Sequence, residues 1–151
     1  KTLPAVFRAV QRKADMVAGM THEELTLYDF ERRILENSTA TFSRFYERGI
    51  KLVASTDAGW GWSPFGDFVT DLEIMNSCGM SCEEALVAAT TRAAQALRLQ
   101  SEIGSLEIGK AADFVVVREN PLENISALRN PALVFRSGIN MTALLANSNL
   151  C

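Results

Sequence analysis

The chain has 151 residues, of which 48% are hydrophobic and 22% are charged, a composition typical of one globular domain. Its net charge of -3 and the scattered positions of its 15 basic residues argue against a nucleic-acid-binding protein. No apolar segment approaches the ~20 residues that span a bilayer, and the amino terminus lacks the pattern of a signal peptide. These features predict a cytoplasmic protein without nucleic-acid or membrane partners.

The chain contains three cysteines, Cys78, Cys82 and Cys151. An odd number of cysteines without an export signal favours reduced thiols over a disulfide framework. Cys78 and Cys82 are four residues apart, as in half of a zinc site, but a second pair is missing and the only histidine, His22, is distant in sequence. We therefore assign no metal site to the cysteines.

A long helix is predicted from Thr21 to about Arg48. Thr21, followed three residues later by Glu24, has the pattern of a capping box, and Gly49 ends the helix. Apolar side chains recur at steps of three and four residues, which predicts an apolar stripe along one face. The stripe consists of Leu27, Phe30, Ile34, Leu35, Phe42 and Phe45.

Residues 50–56 form a short apolar run that ends at Asp57 and is followed by Gly59. This pattern is typical of a strand that is buried on both faces in a parallel sheet. Parallel sheets carry their functional groups at the carboxyl ends of their strands, which makes Asp57 the first functional candidate. The alternative is structural, because an aspartate after a strand also caps a helix or closes a turn.

Three aromatic residues lie in the glycine-rich loop after Asp57, namely Trp60, Trp62 and Phe65. Aromatic side chains at the mouth of a site can line a substrate pocket, and they also pack helices against strands. Both interpretations stay open on these residues alone.

Two further helices follow the loop. Residues 67–77 predict a helix that ends at Gly79. Ser81 and Glu84 form a second capping-box pattern, which opens an alanine-rich helix over residues 82–99.

The pattern changes from helical to β after residue 99. Residues 103–110 carry glycines at turn spacing, which predicts a hairpin, and residues 113–117 form a compact β-branched strand. Another strand is predicted over residues 133–135. A small β segment therefore follows the helices.

Several short motifs, taken in their order and spacing, resemble one family, the metal-dependent amidohydrolases of the imidazolonepropionase-like and prolidase-like branch. The motifs are STDAG at 55–59, PFG at 64–66, GMSCEEAL at 79–86 with AAT at 88–90, IGSLEIGKAAD at 103–113 and NPL at 120–122. Each motif alone is short and weak. Their combination identifies the chain as resembling the carboxyl-terminal part of such an enzyme.

The resemblance implies an α/β fold. Residues 1–99 would be the carboxyl-terminal part of a (β/α)8 TIM-like barrel, with residues 50–56 as its last strand, and residues 100–151 would supply strands of a small β-sandwich. Members of this family carry one or two divalent metals, usually zinc, at the carboxyl ends of the barrel strands. The implied substrate is a small amide, a cyclic amide or a dipeptide-like molecule.

The same resemblance implies roles for the residues of the loop. Asp57 would be a metal ligand and a proton shuttle, which takes a proton from the metal-activated water and passes it to the departing amine. Trp60, Trp62 and Phe65 would edge the substrate pocket. Other parts of the family's site lack a counterpart here, namely its paired histidines, its bridging lysine or glutamate, and its histidines on the fifth and sixth strands.

The chain is therefore expected to begin near the end of the seventh barrel strand, since a complete barrel takes ~250 residues. An apolar parallel strand without neighbours leaves backbone groups unpaired and apolar surface in water. We expect the isolated chain to be inactive, to bind no zinc stoichiometrically, and to self-associate or depend on the missing amino-terminal part.

The competing hypothesis is a rearranged remnant that folds alone as a non-catalytic module for association or small-ligand binding. Its interface would be the helical face that carries Leu27, Phe30, Ile34 and Phe42. The reading frame upstream of Lys1 discriminates between the two hypotheses. A His-x-His motif upstream supports the enzyme, and a genuine start codon at the boundary before Lys1 supports the remnant.

Overall fold

The computed structural model describes residues 10, 14, 17–56, 58–59 and 65–142 of the chain. In chain order, their helices are α1 (His22–Glu47), α2 (Val69–Ser77), α3 (Cys82–Ala89) and α4 (Thr91–Ala96). The strands are β1 (Phe114–Val117), β2 (Pro131–Arg136) and β3 (Ile139–Asn140), and short 3-10 helices cover Val17–Gly19 and Ile125–Arg129. Helices therefore precede strands, and the strand predicted between the first two helices is missing from this order.

The described residues fall into two compact units. Those of Lys1–Lys51 and Ser55–Met80 form the first unit, which contains α1 and α2. Those of Leu52–Ala54 and Ser81–Cys151 form the second unit, which contains α3, α4 and the strands. The domain boundary at residue 99 refers to the complete enzyme and stays a prediction.

Helix α1 begins and ends where the sequence predicted. The Glu24 backbone N–H donates to the Thr21 hydroxyl at 3.3 Å, and the Glu24 carboxylate accepts from the Thr21 backbone N–H at 2.8 Å. These reciprocal bonds form a capping box and satisfy amide groups that have no partner within the helix. Gly49, at φ +71°, follows the helix in the left-handed conformation that glycine adopts readily.

The apolar stripe of α1 is largely accessible to solvent. Leu27, Phe30 and Phe45 are 45%, 58% and 43% exposed. Glu31 is the buried residue of this helix, at 3% exposure. Its side chain or backbone takes part in an interaction within the structure. Periodicity predicted the helix correctly, but half of the predicted stripe is not covered by the described residues.

Helix α2 buries the side chains that carry the first unit's core. Leu72 and Ile74 are 2% and 4% exposed. The backbone N–H of Met80 donates to the Met75 carbonyl at 3.2 Å, so the chain turns back on the end of the helix at Gly79, which has φ +100°. Met80 itself is 1% exposed.

The predicted strand over residues 50–56 is not part of a sheet in the structure. Residues 51–56 lie outside every helix and strand, and among the described residues no strand pairs with them. Ile50 and Val53 remain 47% and 37% exposed, whereas Ala54 is buried. The physical reason is that a parallel strand needs a neighbouring strand to accept and donate its backbone hydrogen bonds.

The single helix predicted over residues 82–99 is divided at Thr90. Ser81 caps α3 as predicted, since its hydroxyl accepts from the Glu84 N–H at 3.2 Å. Thr90 leaves the helical conformation, with φ -122° and ψ -91°, and its hydroxyl donates to the Leu86 carbonyl at 2.7 Å. The Thr91 hydroxyl donates instead to the carbonyl of Gly104, at 2.9 Å. These side chain–backbone bonds compete with the regular helical pattern and favour a break.

Residues 103–110 do not form the predicted hairpin. They contain turns and bends without a paired strand, because the ladder that follows is built from residues farther along the chain. The Lys110 N–H closes a turn by donating to the Glu107 carbonyl at 3.2 Å.

The strands form an antiparallel sheet in the order β1-β2-β3. The β1–β2 register places Phe114 opposite Phe135, and their stacked rings have centroids 4.5 Å apart. Both predicted strands are present, and β2 is longer than predicted. The sandwich that this sheet would form with strands from before the barrel stays a prediction.

Candidate active site

Three of the four residues predicted for the site lie outside the described residues, namely Asp57, Trp60 and Trp62. Their roles as catalytic, metal-binding and pocket residues stay predictions. Phe65 is described, and so are the segments on both sides of the loop.

The backbone that leads to Asp57 is held by two hydrogen bonds within the second unit. The Ala54 N–H donates to the carbonyl of Ala88 at 3.1 Å, and the Arg92 guanidinium donates to the carbonyl of Leu52 at 3.0 Å. Ala54 is 5% exposed and Ala88 is completely buried. Hydrogen bonds from α3 and α4 therefore hold residues 52–54.

Arg92 is a site-supporting residue that the sequence reasoning missed. It is the only charged residue of α4, whose sequence is TRAAQA. A guanidinium presents several donors in a fixed plane and binds carbonyl oxygens well in half-buried positions. The isolated charge within α4 was the available signal.

Phe65 lies over Gly59 at the end of the loop. Gly59 has φ +92°, and a Cβ atom added there would lie 2.8 Å from the Phe65 Cζ atom. The exposed ring can move aside, so the positive φ of Gly59 is what favours glycine in this turn. Phe65 is 82% exposed, so its predicted role in lining a pocket stays a prediction.

A buried polar cluster follows the loop at the start of α2. The Thr70 hydroxyl donates to the Asp67 carboxylate at 2.7 Å, and Thr70 and Asp71 are only 6% and 5% exposed. The first turn of a helix favours a carboxylate, since the helix dipole is positive there. The sequence reasoning treated residues 67–77 as an amphipathic helix and missed Asp71. Its only signal was an acidic residue directly before the apolar Leu72.

Cys78, at the end of α2, is half-buried and carries a free thiol. Burial raises the pKa of this thiol, and hydrogen bonds with the Ser77 and Ser43 side chains oppose the increase. The Ser43 hydroxyl also donates to the Cys78 carbonyl at 3.0 Å, which ties α1 to the end of α2. A raised pKa disfavours the thiolate that acts as nucleophile or metal ligand.

The described residues do not supply a metal site by themselves. Among them, no group of three or more His, Cys, Asp or Glu side chains is arranged to hold a metal ion. Within the same part of the chain, no helix combines the length and the apolar character that crossing a membrane requires.

The profile of the amidohydrolase family matches residues 6–140 of the chain. An imidazolonepropionase of Syntrophobacter fumaroxidans is 36% identical over 94 residues, which are 61% of this chain and 21% of that protein. An imidazolonepropionase of Mesorhizobium japonicum is 31% identical over 109 residues, which are 71% of this chain and 24% of that protein.

Solved structures of hydrolases are also similar to this chain. A Xaa-Pro dipeptidase with methionine bound in its active site has a TM-score of 0.74 at 28% identity, over 91% of this chain and 33% of that chain. Molinate hydrolase has a TM-score of 0.62 at 28% identity, over 66% of this chain and 25% of that chain.

The chain thus spans between a fifth and a third of the length of these relatives. Its helices and strands fit part of a TIM-barrel-like fold, and the similarities confirm the resemblance drawn from the sequence motifs. The family match covers most of the chain. The chain belongs to the amidohydrolase family.

Proposed function

We propose that this chain is the carboxyl-terminal part of a metal-dependent hydrolase that cleaves amide-like carbon–nitrogen bonds. The observation that carries the proposal is the family match over residues 6–140. The proposed substrate class is a small amide, a cyclic amide or a dipeptide-like molecule. It follows from the similarity to an imidazolonepropionase and to a Xaa-Pro dipeptidase.

Asp57 is the proposed catalytic residue and metal ligand. The hydrogen bonds at Leu52 and Ala54 support this role, because they hold the backbone a few residues before Asp57. A carboxylate can accept a proton at one oxygen and deliver it to the departing amine nitrogen. Trp60, Trp62 and Phe65 would exclude water from one side of the substrate.

Asp57 would supply one ligand of a set that other parts of the complete enzyme must complete, since the described residues hold no group of three ligands. A divalent ion held by such a set would lower the pKa of a water molecule towards ~7. The family resemblance implies that this ion is zinc. Under this proposal, the isolated chain is inactive and depends on the rest of the barrel.

Expression of two forms tests this proposal. One form is the 151-residue chain, and the other also contains any coding sequence that precedes Lys1. We expect hydrolysis of cyclic amides or Xaa-Pro dipeptides, and stoichiometric metal, in the longer form alone. Turnover and bound metal in the shorter form would contradict the dependence on the barrel.

Variants of the longer form test Asp57. We expect Asp57→Asn to lower kcat by about 10²- to 10⁴-fold, the range for a lost general acid–base group. The matched control is Asp29→Asn, which removes an exposed carboxylate from α1. Full activity of Asp57→Asn would refute the role proposed for this residue.

A second candidate function, association through α1, is favoured by one observation. Leu27 and Phe30 expose 45% and 58% of their surface on this helix. Sedimentation of the chain with Phe30→Ser tests it, because removal of the ring should weaken a self-association that buries it. An unchanged association constant would exclude this face as the interface.

A further inference from the structure

The first turn of α4 contacts two segments that are distant from it in sequence. The Arg92 guanidinium donates to the carbonyl of Leu52, 40 residues earlier, at 3.0 Å. The Thr91 hydroxyl donates to the carbonyl of Gly104, 13 residues later, at 2.9 Å. Arg92 therefore contacts the segment that leads to Asp57, and its immediate neighbour is attached to a separate turn of the chain.

The start of α4 is not held by a capping side chain. Thr90 occupies the N-cap position, but its hydroxyl donates backwards to the Leu86 carbonyl at 2.7 Å and accepts from no amide of α4. Where a helix is broken, the ladder of backbone hydrogen bonds no longer fixes the second helix against the first. The bond from Thr91 to Gly104 is then a contact that fixes where α4 begins.

Close packing supports the same contact. A Cβ atom added to Gly104 would lie 2.5 Å from the Ala94 Cβ atom and 3.3 Å from the Thr91 Cα atom. Ala94 is 2% exposed. The chain before Gly104 also returns to the end of this helix, since the Ile103 N–H donates to the Leu99 carbonyl at 3.0 Å. The turn and α4 therefore pack against each other, and the Thr91 hydroxyl has a fixed acceptor.

The position of the Arg92 guanidinium depends on the helix that carries it. Among the described residues, no carboxylate forms an ion pair with this half-buried side chain. A hydrogen bond weakens steeply when its donor and acceptor lose their distance and alignment. A shift of the first turn of α4 would therefore weaken the bond from Arg92 to Leu52.

We propose that Thr91 is a positioning residue for the segment of residues 52–54. Through its bond to Gly104 it fixes the first turn of α4, and this turn places the Arg92 guanidinium at the Leu52 carbonyl. The catalytic consequence rests on the proposed function, in which Asp57 is the catalytic residue. The hold of Thr91 on the segment does not depend on any activity.

Hydrogen exchange of the Ala54 amide tests this hold, in the full chain expressed with any sequence that precedes Lys1 in its reading frame. The Ala54 N–H donates to the Ala88 carbonyl at 3.1 Å, so its exchange reports the opening of the segment. We expect Arg92→Ala to accelerate the exchange by roughly tenfold or more, and Thr91→Val by roughly two- to tenfold, the ranges for one charged and one neutral hydrogen bond. Thr91→Ser, which retains the hydroxyl, should restore most of the protection.

A double variant separates positioning from a general loss of stability. If Thr91 acts through Arg92, Thr91→Val should change the exchange of the Ala54 amide little in a chain that already carries Arg92→Ala. The matched control is Thr39→Val, which removes a half-buried hydroxyl that donates to the Leu35 carbonyl at 2.9 Å within α1. This control should leave the exchange of the Ala54 amide unchanged.

Gly104→Ala disturbs the same contact from the other side. The added Cβ atom would meet α4, so we expect this variant to accelerate the exchange of the Ala54 amide as Thr91→Val does. Gly109→Ala is its matched control, because Gly109 has the same φ of +92° and nothing within 4 Å of the added atom. Its Ala54 amide should exchange at the parent rate.

The kinetics of the longer form test the catalytic consequence. Under the proposed function, Thr91→Val should lower kcat more than it raises KM, because the contact positions a catalytic group and not the substrate. Thr91→Ser should restore kcat, and Thr39→Val should leave it unchanged.

Three results would overturn the proposal. They are an Ala54 amide that exchanges at the parent rate in the folded Thr91→Val variant, additive effects of Thr91→Val and Arg92→Ala, and an unchanged kcat of Thr91→Val where Asp57→Asn is inactive. Full activity of Asp57→Asn, or no turnover in the longer form, would refute the proposed function instead. The exchange of the Ala54 amide would still decide whether Thr91 holds the segment.

Discussion

The Arg92 guanidinium donates a hydrogen bond to the carbonyl oxygen of Leu52, 3.0 Å away and 40 residues earlier in the chain. Together with the bond from the Ala54 N–H to the Ala88 carbonyl, it attaches the segment of residues 52–54 to α3 and α4. The segment has no neighbouring strand among the described residues, so these helices are what holds it there. Asp57 follows only three residues after Ala54.

Removal of the Arg92 side chain should therefore loosen this segment. We expect Arg92→Ala to lower the free energy of unfolding by about 1–3 kcal/mol, the contribution of a hydrogen bond from a charged donor. Arg92→Lys should recover part of the loss, since an ammonium still donates but lacks the planar fork. Urea denaturation measures both variants.

The matched control for Arg92 is Arg33→Ala, at an exposed position of α1, which should change stability by less than about 0.5 kcal/mol. Under the proposed function, Arg92→Ala in the longer form should lower kcat more than it raises KM, because Arg92 would act by positioning the segment before Asp57. Equal stability of Arg92→Ala and Arg33→Ala would contradict the proposed contribution of this bond.

Local signals predicted most of the elements. The caps at Thr21 and Ser81 could be predicted because each hydrogen bond joins residues three positions apart. The break at Thr90 is only partly local. The Thr90 hydroxyl bonds to Leu86, four residues away, but the Thr91 hydroxyl donates to Gly104, 13 residues later, and no local pattern indicates that contact. Sequence periodicity continues through such a break, since it reports only which side chains are apolar.

Long-range partners account for the remaining differences. The run over residues 50–56 has the composition of a buried strand, but a strand assignment requires a second strand to complete the ladder. The contact of Arg92 with Leu52 leaves no pattern in the sequence, because the two residues are 40 positions apart. The roles of Asp57, Trp60 and Trp62 stay predictions from the family resemblance.

Gly104 and Gly109 provide a controlled test of close packing. Both have φ +92°, but a Cβ atom at Gly104 would lie 2.5 Å from the Ala94 Cβ and 3.1 Å from the Thr90 carbonyl oxygen, whereas Gly109 has nothing within 4 Å. We expect Gly109→Ala to cost about 1–2 kcal/mol of backbone strain. Gly104→Ala should cost a further 1–3 kcal/mol, roughly, because the clash must be relieved. Similar losses in urea denaturation would contradict the packing at Gly104.

Leu72 tests where the first unit's core lies, and Leu106, in the second unit, is its exposed control. Leu72 is 2% exposed and Leu106 is 72% exposed. We expect Leu72→Ala to lower the free energy of unfolding by about 2–5 kcal/mol, through lost burial and a residual cavity. Leu106→Ala, which removes the same atoms from an exposed position, should change it by less than about 0.5 kcal/mol. A loss below 1 kcal/mol, roughly, for Leu72→Ala would show that the site is not well packed.

Glu107 should make stability depend on acid pH. Its carboxylate accepts hydrogen bonds from the Ser105 hydroxyl at 2.6 Å and from the Lys110 ammonium at 3.1 Å, and these contacts hold the pKa of Glu107 below its ordinary value of 4.5. Folding is then favoured by the ionised form. The contribution is fully present above pH 4.5 and is lost as the pH falls through the lowered value of the folded state.

The comparison of the parent chain with Glu107→Gln isolates this effect. The parent should be slightly more stable at pH 6, and the difference should disappear in acid. Ser105→Ala, which removes the contact that lowers the pKa most, should move the midpoint of this loss to higher pH. Added salt should reduce the difference, because the group is exposed. A difference between parent and Glu107→Gln that grows as the pH falls would contradict this account.

Cys78 should react slowly with alkylating agents near neutral pH. Burial raises the pKa of its thiol above the ordinary value of 9.0, and the Ser77 and Ser43 side chains oppose this increase. The reactive species is the thiolate, so the rate of reaction with a neutral agent such as iodoacetamide follows the ionised fraction.

In a chain with Cys82→Ser and Cys151→Ser, the pH–rate profile should have its midpoint above pH 9.0. Ser43→Ala should move the midpoint higher, because it removes a hydrogen bond that favours the thiolate, whereas Ser101→Ala, at an exposed position, should not. A midpoint at or below 9.0 would show that the hydrogen bonds outweigh the burial of the thiol.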